Sequence, residues 1–575
     1  MNNWFSPYDA HRRIGSIIKV SPTEFTCNLT NLASNSPAWI MGQRMPGGEV
    51  NEFVFIDVGE TTVFGKLVKV WLEGGERLSV DSIGQQSKNN HPIGAIQPLI
   101  SVNVSDGKNL GGISRFPKLG SQVYSADPFL YKSLIEGDHK EGEVNLAIAE
   151  LPDDNSVTIH VTPEKLFSRH CAILGATGGG KSWSVANLLC NIHSNNGRAI
   201  LIDATGEYSD LPCSSFYIGN HPLANPENSV TFPHWRFTET DLRAFLRPSS
   251  QSQTPKLVEA IKSLKFVNMQ RRNVFSGYLE ITQKFTFPKA QKIKSGYESA
   301  IAQYSGLLEN EPWVFNVLHE QIVEECIWPS GGNASKPDHT VWGGKADNDL
   351  GHCLNLISRI KAYSESPYFR WMLDPDYSLK QIPDLIKDFL VRNDSGEILR
   401  LDVSSVPFES NAREILVNAI GRYLLNLARN GVVNFEKPML VFIDEAHQFL
   451  NKRIGDEFNR FELDAFGNIA KEGRKFGLNL AIATQRPRDI PEDVLSQIGS
   501  LLVHRLTNYH DQEVVKRAVG EMDLRTSGFL PTLEQGEALM LGVDFSFPVI
   551  LKMKKPMFKP LSKSAGFSKY WKSMQ

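Results

Sequence analysis

The chain is poor in cysteine, with 6 among 575 residues, and none of them forms a C-x-x-C pair. This scatter excludes a disulfide framework and the usual zinc-ligand spacings, and it favours a reducing compartment. Long apolar runs are also lacking, since none approaches the ~18 residues of a membrane-spanning helix. The amino-terminal "MNNWFSPYDAHRRIG" has no apolar core of a signal peptide. We therefore expect a cytoplasmic protein that does not bind a membrane.

The chain also lacks a strong charge of either sign. Its net charge is −3, with 41% hydrophobic and 22% charged residues, which is the composition of an ordinary globular protein. A surface that binds nucleic acid must therefore be local, such as a pore or a groove. The length of 575 residues allows about three or four domains.

The stretch "LGATGGGKSWS" contains the most informative motif. From Gly175 to Ser182 it reads G-x-x-x-x-G-K-S, between an apolar run and a segment of helical spacing. A strand, a glycine loop and a helix in this order are typical of a phosphate-binding loop. We expect Lys181 to reach the β- and γ-phosphates and Ser182 to bind Mg²⁺. The predicted cofactors are ATP and Mg²⁺, bound by Gly175, Thr177, Gly178, Gly179, Gly180, Lys181 and Ser182.

The alternative for this stretch is a glycine-rich turn with an unrelated Lys-Ser pair. A pair of carboxylates elsewhere in the chain favours a nucleotide-hydrolysing site over such a turn. "PMLVFIDEAH" is an apolar strand that ends in Asp444 and Glu445. In such a Walker B motif Asp444 holds the Mg²⁺ shell and Glu445 polarises the attacking water. In "LNLAIATQRP", Gln485 follows a strand that we expect beside Walker B, where its amide would sense the γ-phosphate. A glutamine in an ordinary turn is the alternative for Gln485.

Basic residues near these motifs have two interpretations each. Arg474, in "AKEGRKFG", either enters a neighbouring subunit's site and stabilises transition-state charge, or belongs to a solvated turn. The Lys-rich tail either touches phosphates or a neighbouring subunit, or is solvated. Further basic residues would line a DNA pore or form solvated faces, namely Lys452, Arg453, Arg460, Arg271 and Arg272.

Other classes of phosphate-loop protein lack support in the sequence. "DATG" at 203–206 fits a GTPase, but no N-K-x-D motif follows to read guanine. "DEAH" at 444–447 resembles superfamily 2 helicases, but their Q-x-x-G-R-x-G-R element is absent. Small-molecule kinases rarely carry a leading β-domain and a long helical insertion. A ring-forming ATPase accounts for all of these parts.

The order of predicted elements divides the chain into five parts. Short strands separated by turn residues predict an N-terminal β-barrel, with a β-sandwich as the alternative. Strands alternating with helices then predict an α/β core with a largely parallel, RecA-like sheet, which a mostly helical insertion interrupts. We place the barrel at 1–145, the core at 146–237 and 397–550, the insertion at 238–396 and a basic arm at 551–575.

Together these motifs resemble the HerA ATPases of the HerA/FtsK superfamily. The resemblance rests on "RHCAILGATGGGKS", "ILIDATGEY", "VFIDEAHQFL", "GRKFGLNLAIATQRP" and "GEALMLG". The leading β region, with "RRIGSIIKV" near its start, is similar to that family's HAS-barrel. The loop has a glycine where family members commonly have the serine of T-G-S-G-K-S, and the insertion matches no motif of the family.

The resemblance implies a P-loop NTPase fold and a homohexameric ring that translocates double-stranded DNA with ATP. It further implies that the barrels dock a separately encoded partner, either a nuclease or a sirtuin-like, NAD-hydrolysing effector of antiviral defence. By motif, Asp203 and Glu207 belong to a second acidic motif near the hydrolytic site, and Arg169 is a second basic candidate at the subunit boundary. The implied catalytic residues are Glu445, Gln485, Arg474, Asp203 and Glu207.

Two other functions stay open. In the first, the ring chiefly assembles and activates a defence effector, with nucleotide as the assembly signal and little translocation. In the second, the chain is a conjugation-type coupling ATPase that moves DNA to a membrane channel, although it has no transmembrane segment. Any nuclease or NAD-hydrolysing activity must come from a partner, because the chain contains no motif for either.

Overall fold

The computed structural model describes residues 6–29, 39–40, 43–44, 47–72, 92–137, 142–274, 279–309, 311–333, 335–392, 396–450, 452–455, 460–519, 528–561, 567 and 571. The chain forms two compact units. The first unit consists of residues 1–195, 483–488 and 495–559, and the second of residues 196–482, 489–494 and 560–575.

The strands in chain order are β1 (Arg13–Val20), β2 (Phe25–Leu29), β3 (Trp39–Ile40), β4 (Gln43–Arg44), β5 (Phe53–Asp57), β6 (Thr61–Trp71), β7 (Ile93–Asn103), β8 (Gln122–Ser125), β9 (Leu146–Glu150), β10 (Thr158–Val161), β11 (Cys171–Leu174), β12 (Ala199–Asp203), β13 (Ser214–Ile218), β14 (Ser229–Thr231), β15 (Gly331–Asn333), β16 (Lys336–Asp338), β17 (Lys380–Gln381), β18 (Ile398–Asp402), β19 (Met439–Ile443), β20 (Lys452–Gly455), β21 (Arg460–Leu463), β22 (Leu478–Thr484), β23 (Ser500–Val503), β24 (Glu537–Gly542) and β25 (Val549–Met553).

The α-helices are α1 (Pro128–Glu136), α2 (Pro163–Phe167), α3 (Lys181–Ser194), α4 (Glu239–Leu246), α5 (Gln253–Arg271), α6 (Ser295–Tyr304), α7 (Leu318–Glu325), α8 (Asp347–Glu365), α9 (Arg370–Leu373), α10 (Ile382–Val391), α11 (Ala412–Arg429), α12 (Ala465–Glu472), α13 (Glu492–Leu495) and α14 (Tyr509–Val519).

In the first unit a closed barrel has the strand order β1-β2-β7-β6-β5-β8. All neighbouring strands in it are antiparallel. Its interior is filled by alternate side chains of these strands, including Ile17, Phe25, Val54 and Val63. The prediction of a barrel is therefore confirmed over that of a sandwich. The strand pattern did not reveal β8, because its four residues, "QVYS", are too few to show an alternation.

Aromatic side chains join the barrel to the carboxyl-terminal segment of the same unit. The ring of Phe547 lies 5.0 Å from that of Phe64 and 6.1 Å from that of Phe53. Beside them the Lys66 ammonium lies 4.6 Å from the ring centroid of Phe529. Burial of Lys66 lowers its pKa to about 8. The barrel and the carboxyl-terminal segment therefore pack against each other through aromatic side chains within the first unit.

The first unit also holds six strands in the order β10-β9-β25-β24-β23-β11. Strand β11 pairs with β23 in parallel, and every other pair in this set is antiparallel. The sequence pattern predicts the strands but not this change of direction. Strands β24 and β25 follow each other without a helix between them, and such a short connection favours an antiparallel pair. Strand β24 is also antiparallel to β23, although α14 lies between them in the chain.

In the second unit seven strands follow the order β22-β19-β12-β18-β13-β14-β17, all parallel to their neighbours. Strands β12, β18 and β19 are buried along their whole length, as expected of central strands of a parallel sheet. Because the strands are parallel, the residues that follow their carboxyl ends meet at one edge. The α/β fold class of the sequence-based prediction is confirmed.

Residues 238–396 contain the helices α4 to α10, as the helical pattern predicts. Helix α4 begins at a capping box in which Thr238 accepts from the Asp241 N–H and Asp241 accepts from the Thr238 N–H. The same stretch also supplies β17, an edge strand of the parallel sheet. Further along, α11 ends at Arg429 and Gly431 follows with a φ of 77°, a left-handed conformation that is common after helix ends.

Candidate nucleotide site

The glycine loop follows β11 in the first unit and has the backbone that its sequence requires. Gly178 and Gly180 have φ values of 77° and 112°, a region that side chains with a Cβ rarely adopt. Gly175 is needed for space, because a Cβ there would lie 2.6 Å from the Cβ of His504. Within the described residues the N–H groups of Thr177, Gly178 and Gly180 donate to no acceptor. Such a run of outward N–H groups can surround an anion.

Lys181 and Ser182 are the first two residues of α3, so both lie at the positive end of a 14-residue helix. Lys181 is only 4% exposed, and Ser182 is half-buried. The first-turn N–H groups of a helix and a lysine beside them form a ready anion site. The structure thus places all seven predicted loop residues, from Gly175 to Ser182, on one turn and one helix start.

Gln485 contacts this loop, as the sequence-based sensor prediction requires. The Thr177 hydroxyl donates to Gln485 Oε1 at 2.5 Å, although the two residues are 308 positions apart. The backbone supports the contact, since the Gly175 N–H donates to the carbonyl of Thr484 at 3.3 Å. Gln485 is therefore placed where a change in the loop changes its hydrogen bonds.

His504 lies beneath the loop and was not identified from the sequence. Its Nδ1 lies 2.8 Å from the carbonyl oxygen of Glu537, and its Nε2 lies 2.9 Å from the Ser184 hydroxyl. A carbonyl can only accept, so Nδ1 carries the proton and Nε2 accepts from Ser184. Burial lowers the pKa of His504 to about 4, and the nearby charge of Lys181 acts in the same direction. The neutral imidazole ring is held by both hydrogen bonds and packs beneath the loop.

The buried neutral His504 predicts a loss of stability in acid. Its folded pKa of about 4 lies below the ordinary histidine value of 6.5, so the unfolded chain binds the proton more tightly. The contribution of neutral His504 to the free energy of unfolding is complete above pH 6.5 and is lost as the pH falls towards 4. By linkage this is about 2 kcal/mol between pH 7 and pH 5. Denaturant unfolding of His504→Asn at both pH values should show a smaller difference than the wild type.

The exposed His352 provides the control for this prediction, because His352→Asn should keep the wild-type difference. His234 in the second unit also has a pKa that burial lowers to about 4. The pH dependence of the wild type therefore includes both histidines. The contribution of His504 is the part of that dependence that the His504→Asn variant loses. Equal differences in wild type and His504→Asn would contradict the prediction.

In the second unit the Walker B pair follows β19. Asp444 is 2% exposed and Glu445 is 6% exposed. Glu445 has a φ of 48°, a left-handed conformation that is rare and strained for a residue with a side chain and that clusters at functional sites. Its Oε2 lies 3.3 Å from Nδ1 of His447. The strand therefore delivers two buried carboxylates at the edge where parallel sheets place their chemistry.

Asp203 ends β12, the strand beside β19, and Asp402 ends β18, the next strand along the sheet. The two carboxylates share a buried arginine. Register pairs Asp203 with Asp402, and Arg400 lies within β18. Arg400 Nε lies 2.9 Å from Asp203 Oδ2, and its NH2 lies 2.5 Å from Asp402 Oδ2. All three side chains are buried. Arg400 and Asp402 stand out in "EILRLDVSSV" as charged residues inside an apolar strand. The neighbouring residues do not indicate the partners of these two side chains.

Glu207 follows Asp203 in the second acidic motif and is half-buried. Its Oε2 is buried and has no hydrogen-bond partner in the described residues. Its backbone carbonyl accepts from the N–H of Leu561 at 2.7 Å. The structure therefore brings Glu207 to the turn after β12, in the same unit as Asp444 and Glu445.

The two basic candidates lie away from the carboxyl edges of their own strands. Arg474 is exposed in the 3₁₀ helix Gly473–Phe476, which precedes β22. Register pairs Leu478 with Met439, so Arg474 lies near the start of β19 and Glu445 near its end, roughly 16 Å away. Arg169 is exposed just before β11, whereas the glycine loop follows that strand. Each arginine is therefore remote from the motif that its own strand carries.

The predicted pore residues have mixed surroundings. Lys452 lies 3.1 Å from buried Glu414, and Arg272 lies 3.2 Å from Glu311. Arg271 lies over the ring of Phe285 at 4.0 Å. Arg453 and Arg460 are exposed on the hairpin β20–β21. Lys452 lies on the same pair of strands, and Arg453 there pairs with Glu462 at 3.0 Å. The role of these residues in a DNA pore stays a prediction.

Two family models match the chain. "Helicase HerA, central domain" matches residues 146–310, and "Helicase HerA-like C-terminal" matches residues 425–568. The DNA double-strand break repair helicase HerA of Pyrococcus furiosus is 34% identical over 458 residues, which cover 78% of this chain and 75% of that protein. A probable helicase of Methanocaldococcus jannaschii is 25% identical over 450 residues, which cover 76% of this chain and 71% of that protein.

Among solved structures, the plasmid coupling protein TrwB in complex with a non-hydrolysable ATP analogue aligns with 76% of this chain and 95% of its own, at 11% identity and a TM-score of 0.42. That similarity is too distant to transfer any property of TrwB. Among the described residues, no helix is both long enough and apolar enough to span a membrane.

Proposed function

Because the chain belongs to the HerA helicase family, we propose that it is an ATPase that translocates double-stranded DNA. The observation that carries the proposal is the local geometry of the motor motifs, with a glycine loop before a helix start and a carboxylate pair after a central strand. A glycine loop with free N–H groups, a buried lysine at a helix start and a buried Asp-Glu pair after a central strand are the parts of a phosphoryl-transfer enzyme.

Each residue has a stated role in this proposal. The loop and Lys181 bind the phosphates, and Gln485 couples the state of the loop to the chain that follows it. Glu445 takes the proton of the attacking water, and a buried carboxylate is well suited to that because water does not compete for it. Asp203 and Glu207, from the second acidic motif, support the hydrolytic residues.

The cofactors in the proposal are ATP and Mg²⁺. The Ser182 hydroxyl and the Asp444 carboxylate are oxygen ligands of the kind that Mg²⁺ prefers, so the residues present fit the ion. Mg²⁺ usually keeps several waters and binds through one or two protein oxygens and the phosphates. When bound, the ion neutralises charge on the phosphates, and the protein contributes position.

Replacement of Lys181 by alanine tests the phosphate site. The side chain is buried at the helix start, so its loss removes a desolvated charge partner of the nucleotide. Removal of one partner of such a pair costs about 2–5 kcal/mol, which is roughly a 30-fold to several-thousand-fold loss of affinity. Titration with a fluorescent ATP analogue should show this loss for Lys181→Ala and wild-type affinity for Lys361→Ala, an exposed lysine of α8. Unchanged affinity in Lys181→Ala would contradict the role.

We propose further that the functional form is a homohexameric ring. The positions of Arg474 and Arg169 support this, because each is exposed and remote from the motif at the other end of its own strand. An arginine in such a position can serve a neighbouring copy of the site, and in a closed ring every site then receives one. Mass measurement in solution with ATP and duplex DNA tests the ring, and a chain that stays monomeric would exclude it.

We propose that the ring works with a separately encoded partner, a nuclease or an NAD-hydrolysing, sirtuin-like effector, that docks on the barrel. The barrel supports this, since it is a closed sheet of its own that carries none of the motor motifs. The competing function is an ATP-binding scaffold that assembles such an effector with little translocation. Glu445→Gln separates the two, because a scaffold keeps effector activity in this variant. A motor loses effector activity even though the assembly stays intact.

ATP hydrolysis with and without linear duplex DNA tests the proposal as a whole. A translocase hydrolyses ATP faster when duplex DNA is present, because movement along DNA completes its cycle. We expect strong stimulation in the wild type and none in Lys181→Ala. Hydrolysis that is indifferent to duplex DNA would favour the scaffold.

A further inference from the structure

Asp203 is the centre of a hydrogen-bond network that leaves it no chemical role. Its Oδ1 accepts from the N–H groups of Thr205 at 3.1 Å and Gly206 at 2.7 Å. Its Oδ2 accepts from the N–H of Tyr208 at 3.2 Å and from Arg400 Nε at 2.9 Å. A carboxylate has about four lone-pair positions, and the protein fills them. Asp203 is therefore an anchor of the turn after β12 rather than a ligand of water or metal.

The turn that Asp203 anchors presents a hydroxyl to the Walker B aspartate. Thr205 Oγ1 lies 3.1 Å from Asp444 Oδ2 and 3.3 Å from Asp203 Oδ1. A hydroxyl has one proton, so it can donate to only one of these oxygens at a time. Because Asp203 Oδ1 already accepts two N–H groups, the proton goes to the nearer Asp444 Oδ2.

From this geometry we infer that Thr205 is a positioning residue for Asp444, and that Asp203 and Arg400 hold Thr205 in place. The terminal torsion of an aspartate is broad, so an unsupported carboxylate can take many orientations. A donor on one oxygen restricts the orientation of the carboxylate. The inference rests on the proposed function, because Asp444 acts on the nucleotide's Mg²⁺ only there.

Arg400 makes the support rigid because it connects two strands. Its guanidinium bonds Asp203 and Asp402, which end neighbouring strands, and NH1 donates to the Ser215 hydroxyl at 3.2 Å. The arginine and both carboxylates are buried, and Asp402 is further held by the N–H and hydroxyl of Ser404 at 2.9 Å and 2.6 Å. A planar guanidinium can bond both carboxylates at once, which the ammonium of a lysine does less well. The path from Arg400 through Asp203 and Thr205 to Asp444 therefore has a fixed bond at each step.

The test compares Thr205→Val with Thr205→Ser in the full-length chain. Valine removes the hydroxyl and keeps the branched shape, whereas serine keeps the hydroxyl. Thr205 is exposed, so neither change endangers the fold, and the melting temperature should be unchanged. Two titrations with Mg²⁺ provide the measurement, one of fluorescent ATP-analogue binding and one of ATP hydrolysis. Thr532→Val, which removes another exposed hydroxyl, is the matched control.

We expect Thr205→Val to need about 10-fold more Mg²⁺ for half-maximal response, because a hydrogen bond to a charged group has about that effect. Affinity for nucleotide without Mg²⁺ should not change, and Thr205→Ser should behave as wild type. A wild-type Mg²⁺ dependence in Thr205→Val, or equal loss in valine and serine variants, would overturn the inference. The binding titration needs no hydrolysis. A chain without ATPase activity would therefore refute the proposed function, and the comparison of Thr205→Val with Thr205→Ser by nucleotide binding would still decide the inference.

Discussion

Glu445→Gln is expected to stop ATP hydrolysis while the chain still binds ATP. Glutamine keeps the size of the side chain but cannot accept the proton of the attacking water. Loss of a general base costs about 10²- to 10⁴-fold in rate. Glu445 is buried and has a φ of 48°. Glutamine can adopt the same strained backbone conformation, so the substitution changes only the carboxylate. Steady-state ATPase rates and equilibrium ATP binding, measured on the same preparation, provide the test.

Glu472→Gln is the matched control, because this glutamate lies on the surface and pairs with Arg429 at 2.8 Å. It should hydrolyse ATP at the wild-type rate. A Glu445→Gln rate within a few-fold of wild type would assign the base to another residue. A loss of ATP binding in the same variant would instead point to a damaged site.

Arg474→Ala is expected to reduce hydrolysis by the largest factor. An arginine finger is worth about 10³- to 10⁵-fold in the rate of phosphoryl transfer. Arg474 precedes β22 and Glu445 follows β19, at opposite ends of two paired parallel strands. An arginine in that position is remote from the carboxylates at the other end of the neighbouring strand, so the role that we propose for it is in trans.

A mixing experiment reveals the trans action of Arg474. An Arg474→Ala subunit retains Lys181, and a Lys181→Ala subunit retains Arg474. When the two inactive variants are mixed, some neighbouring pairs contain one intact phosphate site and one intact finger. We expect the mixture to recover ATPase activity that neither variant shows alone. No recovery would exclude a shared site, and Lys475→Ala, an exposed neighbour in the same 3₁₀ turn, should be active throughout.

Much of the fold could be predicted because its signals are local. Apolar runs predicted β11 and β19. The capping box of Thr238 and Asp241 at the start of α4 is an equally local signal, since it depends on two residues three positions apart. The antiparallel pairing of β23 with β24 could not be predicted in the same way. Strand direction depends on which distant segments pair, and no short window contains that information.

The candidate site shows the same division. The glycine loop and the Asp444-Glu445 pair could be predicted because each motif is continuous in sequence. His504, Arg400 and Thr205 were missed because their partners are distant, as in the contact of His504 with Ser184 across 320 positions. Asp203 was predicted from its motif, but its role could not be, because only the structure shows that its oxygens are already bonded.

Triplex displacement is the measurement that tests the central claim most directly. A third DNA strand is annealed to a duplex, and a protein that moves along the duplex removes it. We predict that the wild-type chain, with ATP and Mg²⁺, displaces the third strand at a rate that depends on ATP. Glu445→Gln should bind the same duplex and displace none. Displacement by Glu445→Gln, or none by an active wild-type ATPase in a ring, would contradict the account of an ATP-driven DNA translocase.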